Sequence, residues 1–174
     1  MMAAMRSEAV PGPGDVLEDL HRQHYRSLVR LAALLVDDVA TCEELVQDAF
    51  VAVFRRPGVV RDEAKLPAYL RSAVLNGARS HLRGREVRAR ARPLRVVREP
   101  ESPETGALLA DDQHAVLEAL RALPDRQRDV LALRFYLDLS EAQIAETLGI
   151  KAGTVKTHVR RGLEALATTL EDRR

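Results

Sequence analysis

The sequence predicts an all-α protein: two small helical bundles joined by a flexible, charged linker. Three observations point there. Apolar residues recur at three- and four-residue steps along most of the 174-residue chain, and no stretch carries the alternation or the short β-branched runs of strands. Aromatics are only 3% of residues and tryptophan is absent, which suits the Leu/Ala/Val interiors of small bundles. The charge changes sign abruptly in the middle. From Arg79 to Arg98 there are arginines at 79, 83, 85, 88, 90, 92, 95 and 98 against the lone acid Glu86; Glu99, Glu101, Glu104, Asp111 and Asp112 follow with no Lys or Arg among them. The formal net charge is +1, so an argument for nucleic acid must rest on distribution and not on the total.

The opening MMAAMRSEAVPGPG has no apolar run of signal-peptide kind and reads as a disordered tail over 1–14. No later stretch approaches membrane-spanning length, so a cytoplasmic protein without membrane contact is expected. Cys42 is alone, which rules out an intrachain disulfide. The first bundle is expected over 15–86. Its first helix, 15–36, sets Leu17, Leu20, His24, Leu28, Leu31 and Leu35 on one face. Thr41 and Glu44 fit a capping box opening a second helix, about 42–55, with two adjacent apolar rows: Leu45, Ala49, Val53 and Val46, Phe50, Phe54. Pro57 and Gly58 end it. A third helix, about 67–83, starts with proline in its first turn and turns Leu70, Val74 and Ala78 one way and Arg71, Arg79 and Arg83 elsewhere. Residues 87–109, rich in Arg, Glu and Pro, read as the linker.

The second bundle is expected over 110–170. HAVLEALRAL forms one helix, Pro124 interrupts, and DRQRDVLALRFY resumes with Val130, Leu131, Leu133 and Phe135 as its apolar residues. Ser140 with Gln143 makes a second capping box, Ile144, Ala145 and Leu148 form the buried side of a short helix, and Gly149 closes it. The last helix, about 152–170, divides at 100° per residue. Val155, Val159, Gly162 and Leu166 face its partner; Lys156, Thr157, Arg160 and Arg161 face out. Two short helices, a glycine turn and a cationic outer face form a helix-turn-helix suited to a major groove, where Arg and Lys meet guanine edges and Thr a thymine methyl.

The segment ALPDRQRDVLALRFYLDLSEAQIAETLGIKAGTVKTHVRRGL resembles the promoter-recognition region 4 of bacterial sigma factors of the sigma-70 family, extracytoplasmic-function (ECF) group. ATCEELVQDAFVAVFRR resembles the region 2 helix that grips RNA polymerase, and AYLRSAVLNGARSHLRGR the helix that meets the promoter −10 element. The form VLNGARSHLR resembles the actinobacterial SigE-like subgroup. Three positions depart from the family pattern: Tyr69 where Trp is frequent, Ser80 where Asp is, and Lys151 where Ser or Pro often opens the recognition helix.

The resemblance implies a sigma factor that binds polymerase core, at its clamp helices and flap, and directs promoter-specific initiation. It implies polymerase contacts at Gln47, Asp48 and Arg55. Asn76, Arg79 and Arg83, with the 59–66 loop, would hold the melted −10 strand, one base leaving the stack. Lys156, Thr157, Arg160 and Arg161 would read the −35 duplex, and Arg85 to Arg98 would touch phosphates generally. The acidic stretch 99–112 would follow a cationic polymerase channel as a nucleic-acid mimic. Two tethered domains also invite an anti-sigma partner. The alternative is a stand-alone LuxR-type helix-turn-helix regulator, since TVKTH fits that class equally well. Such regulators carry an alternating strand–helix receiver or a ligand-binding half, whereas residues 15–85 here have helical periodicity throughout.

Enzymatic activity, a cofactor and a metal are not expected. His21 and His24 have a ligand-like spacing without a local third ligand, no phosphate-cradling glycine loop exists, and Cys42 has no neighbouring His.

Overall fold

The computed structural model describes residues 13–55, 62–91 and 111–172, and every regular element among them is helical. Three helices make the first module: α1 (Pro13–Leu35), α2 (Val39–Phe54) and α3 (Leu66–Ala91), the last led in by a 3-10 turn at Glu63–Lys65. α1 buries Leu28, Leu31, Ala32 and Leu35; α2 adds Val46, Ala49, Phe50 and Val53; α3 adds Leu66, Leu70, Val74, Leu75 and Ala78. They include most of the apolar rows read from the sequence and add Ala32, Leu66 and Leu75, while Leu17 near the start of α1 is exposed.

The start of α2 differs from expectation. The N-cap is Asp38, whose carboxylate accepts from the Thr41 backbone N–H at 2.7 Å and from the Thr41 hydroxyl at 2.6 Å. Thr41 therefore sits inside the first turn as a donor, and the expected box with Glu44 does not form. A carboxylate at the positive end of a helix is the better acceptor of the two candidates. The end of α3 also differs. It runs to Ala91, past the boundary expected at residue 86, because Arg and Ala are strong helix formers and no proline comes before Pro93. The remainder of the expected linker, residues 92–109, lies outside the described residues, as do 1–12 of the expected tail; Pro13 and Gly14 already belong to α1.

The second module holds α4 (Asp111–Ala122), α5 (Asp125–Leu131), α6 (Glu141–Leu148) and α7 (Ala152–Glu171). Between α5 and α6 the chain widens into one π turn, Ala132–Tyr136, where the Leu137 N–H donates to Ala132 O at 3.3 Å. The extra residue shifts the helical phase. Leu133 stays buried, but Phe135, expected on the apolar face, is 63% exposed, and Leu137 and Leu139 turn inward in its place.

The modules do not stand apart. One apolar cluster runs from Leu20 to Val155, with α3 lying on α6 and α1 on both α4 and the π turn. Packing within the second module is close where α5 crosses α7. A Cβ on Gly162 would lie 3.0 Å from Leu131 Cδ1 and 3.1 Å from its Cγ, whereas one on Gly153 would meet nothing within 4 Å.

Urea unfolding should therefore separate two glycines of the same helix. Gly162→Val is expected to destabilise by about 1–3 kcal/mol through overpacking, and Gly153→Ala to stabilise by about 0.4–1 kcal/mol by restricting the unfolded chain. The Asp38 cap gives a pH signature. Hydrogen bonds from Thr41 hold its carboxyl below the ordinary value of 3.8. Its contribution is thus complete above that value and fades as pH falls through the lowered one. Melting curves of the wild type and Asp38→Ala should differ at neutral pH and converge in strong acid.

Candidate nucleic-acid interface

The helix-turn-helix is built locally as the sequence indicates. The Ser140 N–H donates to Gln143 Oε1 at 2.9 Å while the Gln143 N–H donates to Ser140 Oγ at 3.2 Å, so the box is reciprocal. Gly149 takes φ 63°, ψ 37°, a left-handed conformation that a Cβ would strain. The Ile150 N–H then reaches Ala145 O at 3.0 Å, and the Ile150 side chain packs on the core cluster. Lys151 enters α7 without a side-chain cap. Ile144 and Val155, both fully buried, fix α6 against α7.

That anchoring decides which face of α7 is free. Lys156, Arg160 and Arg161 are exposed, and Thr157 is half-buried. Their charges are partly engaged on the protein itself. Lys156 Nζ stands 3.7 Å from Glu141, and Arg160 Nη1 lies 2.8 Å from Glu164. The Thr157 hydroxyl donates to Gly153 O at 3.1 Å, one turn back. These ion pairs are solvent-exposed, hence weak and exchangeable for phosphate or base acceptors.

On the first module Gln47, Asp48 and Arg55 are all exposed on or just beyond α2, available to a partner surface. Asn76, Arg79 and Arg83 follow one another along α3. Asn76 Oδ1 accepts from Arg79 Nη1 at 3.2 Å, and Arg83 Nε leans on Arg79 O at 3.4 Å. Asn76 and Arg83 are exposed; Arg79 is not. Its side chain is 12% exposed: while Nη1 holds Asn76, Nη2 meets the fully buried Asp129 of α5 at 2.6 Å. Of the three residues expected against the −10 strand, the amide Asn76 and the cation Arg83 are exposed, and Arg79 is engaged by the other module. Of the expected 59–66 loop, 59–61 lie outside the described residues; Lys65 pairs with Asp62 at 2.7 Å beyond them.

Two further arginines make polar contacts between the modules. Arg121 of α4 donates to Ala33 O at 2.8 Å and to Leu34 O and Val36 O at 3.2 Å each, closing carbonyls at the C-terminal end of α1, and pairs with Asp37. Arg71 Nε donates to Thr147 Oγ1 of α6 at 3.2 Å. Sequence reading missed Asp129 and Arg121. The available signal was Asp129 itself, an acid at the head of the apolar run Val130 to Leu133, where a buried charge needs a partner. His21 stacks on Tyr25 at 4.5 Å between ring centroids, and burial holds the His24 imidazole below its ordinary pKa, with Arg71 adding to the effect. Among the described residues no group of His, Cys, Asp or Glu could hold a metal ion, and no helix is long and apolar enough to cross a membrane.

Comparison with known proteins matches both modules. Residues 20–88 match the family "Sigma-70 region 2" and residues 113–166 match "Sigma-70, region 4". The RNA polymerase sigma-E factor of Streptomyces avermitilis is 32% identical over 166 residues, covering 92% of this chain and 89% of that protein. The ECF RNA polymerase sigma factor SigL of Mycobacterium tuberculosis is 29% identical over 171 residues, covering 95% of each. Among solved structures, CnrH in complex with the cytosolic domain of CnrY shares the fold with a TM-score of 0.64 at 20% identity, over 92% of this chain and 91% of that one. The sigma factor RpoE of Bartonella quintana, in complex with the anti-sigma factor NepR, shares it with a TM-score of 0.58 at 23% identity, over 90% and 99%.

Proposed function

Because this chain belongs to the sigma-70 family, in its extracytoplasmic-function group, we propose a division of labour between its two modules in promoter recognition. The protein is an RNA polymerase sigma factor: it binds the core enzyme and directs initiation at promoters with −10 and −35 elements. Sigma factors are initiation factors, and the chemistry of RNA synthesis belongs to the polymerase; the place of work is the cytoplasm. The stand-alone regulator is disfavoured, since residues 20–88 match region 2 and are neither a receiver nor a ligand-binding domain.

The observation that carries the reading is the α6–α7 unit, boxed at Ser140 and closed at Gly149, which offers the cationic N-terminal half of α7 outward. Lys156, Thr157, Arg160 and Arg161 read and grip the −35 duplex. Their present acidic partners are exchanged for phosphate and base acceptors, so affinity falls with salt. Asn76, Arg79 and Arg83 hold the melted −10 strand. Aromatic platforms are scarce along α3, so hydrogen bonding by Asn76 does more than stacking there. Gln47, Asp48 and Arg55 meet the polymerase clamp helices, and the second module meets the flap. An anti-sigma factor is a further partner, supported by the shared fold of two proteins whose structures were solved with partners bound, one of them a named anti-sigma factor. Residues 13–91 serve as the −10 and core-binding unit and 111–170 as the −35 unit, with the segment between them as linker and the one before them as tail.

Run-off transcription with core polymerase and genomic DNA tests the whole reading; products that begin a fixed distance from a shared two-part motif are expected. For single residues, Arg160→Ala should cost about 1–3 kcal/mol on the cognate −35 duplex with little change on a scrambled one, by fluorescence anisotropy. An equal loss on both would make Arg160 a phosphate contact. Asp48→Ala should weaken core binding by roughly fivefold or more; unchanged affinity would remove Asp48 from the polymerase interface.

A further inference from the structure

Three of the four residues assigned to the reading face of α7 act by donating hydrogen bonds, and the fourth cannot. Lys156, Arg160 and Arg161 carry donors and no acceptor, so each suits a base edge that accepts: guanine N7 and O6, or thymine O4. Thr157 differs because of what its hydroxyl already does. A hydroxyl has a single proton to give, and that of Thr157 goes to Gly153 O at 3.1 Å, one turn back along the helix. Its oxygen can still accept from a base, but it has nothing left to donate. Guanine, which presents only acceptors in the major groove, therefore gains nothing from Thr157. Adenine and cytosine present an amino donor, which a face otherwise made of cationic donors disfavours. Thymine matches on both counts: O4 accepts from a neighbouring cation, and the 5-methyl suits the Thr157 methyl.

The approach to that methyl is open. Gly153 is exposed on the same face one turn earlier, and a Cβ there would meet nothing within 4 Å. Side chains on a helix lean toward its N-terminus, so Thr157 lies over bare backbone and not against another side chain. Behind this face Val155 is fully buried, which fixes how α7 presents it to a groove. We propose that Thr157 is a thymine reader: its methyl packs on the 5-methyl of one thymine in the −35 element, and its hydroxyl takes no direct part in base recognition. Both statements rest on the reading of α7 as the −35 helix. One methyl packed on another is worth about fourfold in affinity. The contact thus selects a base without dominating binding, which the cations supply.

The test uses the full chain on core polymerase and a promoter mapped by run-off, with affinity for the duplex read by fluorescence anisotropy. Each −35 thymine is replaced in turn by deoxyuridine, which keeps every hydrogen bond and lacks only the 5-methyl. At one position the replacement should weaken wild-type binding by about fourfold. Thr157→Val keeps a methyl and loses the hydroxyl; it should bind the thymine duplex as the wild type does and show the same loss on deoxyuridine. Thr157→Ser keeps the hydroxyl and loses the methyl; it should bind the thymine duplex about fourfold more weakly and no longer distinguish it from deoxyuridine. A deoxyuridine loss that persists in Thr157→Ser, a loss in Thr157→Val as large as that in Thr157→Ser, or a −35 element without thymine on either strand overturns the proposal. The underlying reading fails differently. If scrambling the −35 element leaves affinity unchanged, α7 is not its reader; if scrambling weakens binding while no deoxyuridine does, only the assignment of Thr157 falls.

Discussion

α3 is the constraint on which the rest of the molecule depends, because it must be core on one side and contact surface on the other. Leu70, Val74, Leu75 and Ala78 lie at or near zero exposure against α1 and α2, and Arg71 and Arg79, on the remaining arc, meet α6 and α5. The two sides differ in strength. Each buried leucine or valine contributes about 1.5–3 kcal/mol relative to exposure, and the row is continuous, so the first module keeps its shape in any state. The arginine side adds a few polar contacts whose desolvation offsets most of their attraction, beside the apolar cluster that continues into the second module.

That difference explains which parts of the structure were legible in the sequence. Apolar rows, caps and breakers are local, and their signals lie within one turn of the residues they govern. The Ser140–Gln143 box, the Gly149 closure and the Val155-side anchoring of α7 all appear where the pattern puts them. Errors arose where two local signals competed. Asp38 and Thr41 both suit an N-cap, and the stronger acceptor took it. The run of Arg and Ala after residue 83 satisfies both a linker's charge and a helix's propensity, and propensity carried α3 to Ala91. Phe135 fits the apolar period of its helix, but one π turn broke that period before reaching it.

The candidate site was legible as a set of residue types and only partly as a surface. Lys156, Arg160, Arg161, Asn76, Arg83, Gln47, Asp48 and Arg55 are exposed, and exposure follows from the same periodicity that buries their neighbours. Arg79 obeys that rule too, since it points out of its own module. What hides it is Asp129, fifty positions along the chain. No local pattern encodes that pairing, although an acid at the head of an apolar run signals that a cation must come from somewhere.

The chemistry of arginine is what makes such double use workable. Its planar guanidinium stays charged in a dry interior and offers five donors that suit a carboxylate and a phosphate equally. Arg79 on Asp129, Arg160 on Glu164 and Arg121 on the α1 carbonyls are each a protein contact of the kind that a nucleic acid or another protein surface can replace. The net charge of +1 follows the same logic, because the basic residues that meet DNA are balanced by acids on the same chain. A protein balanced in this way has little long-range pull on DNA of its own. Local cationic faces become effective only when their acidic partners are displaced. For a subunit that must recognise promoters only on its enzyme, weak attraction to DNA when alone is an advantage, and it follows directly from where the acids sit.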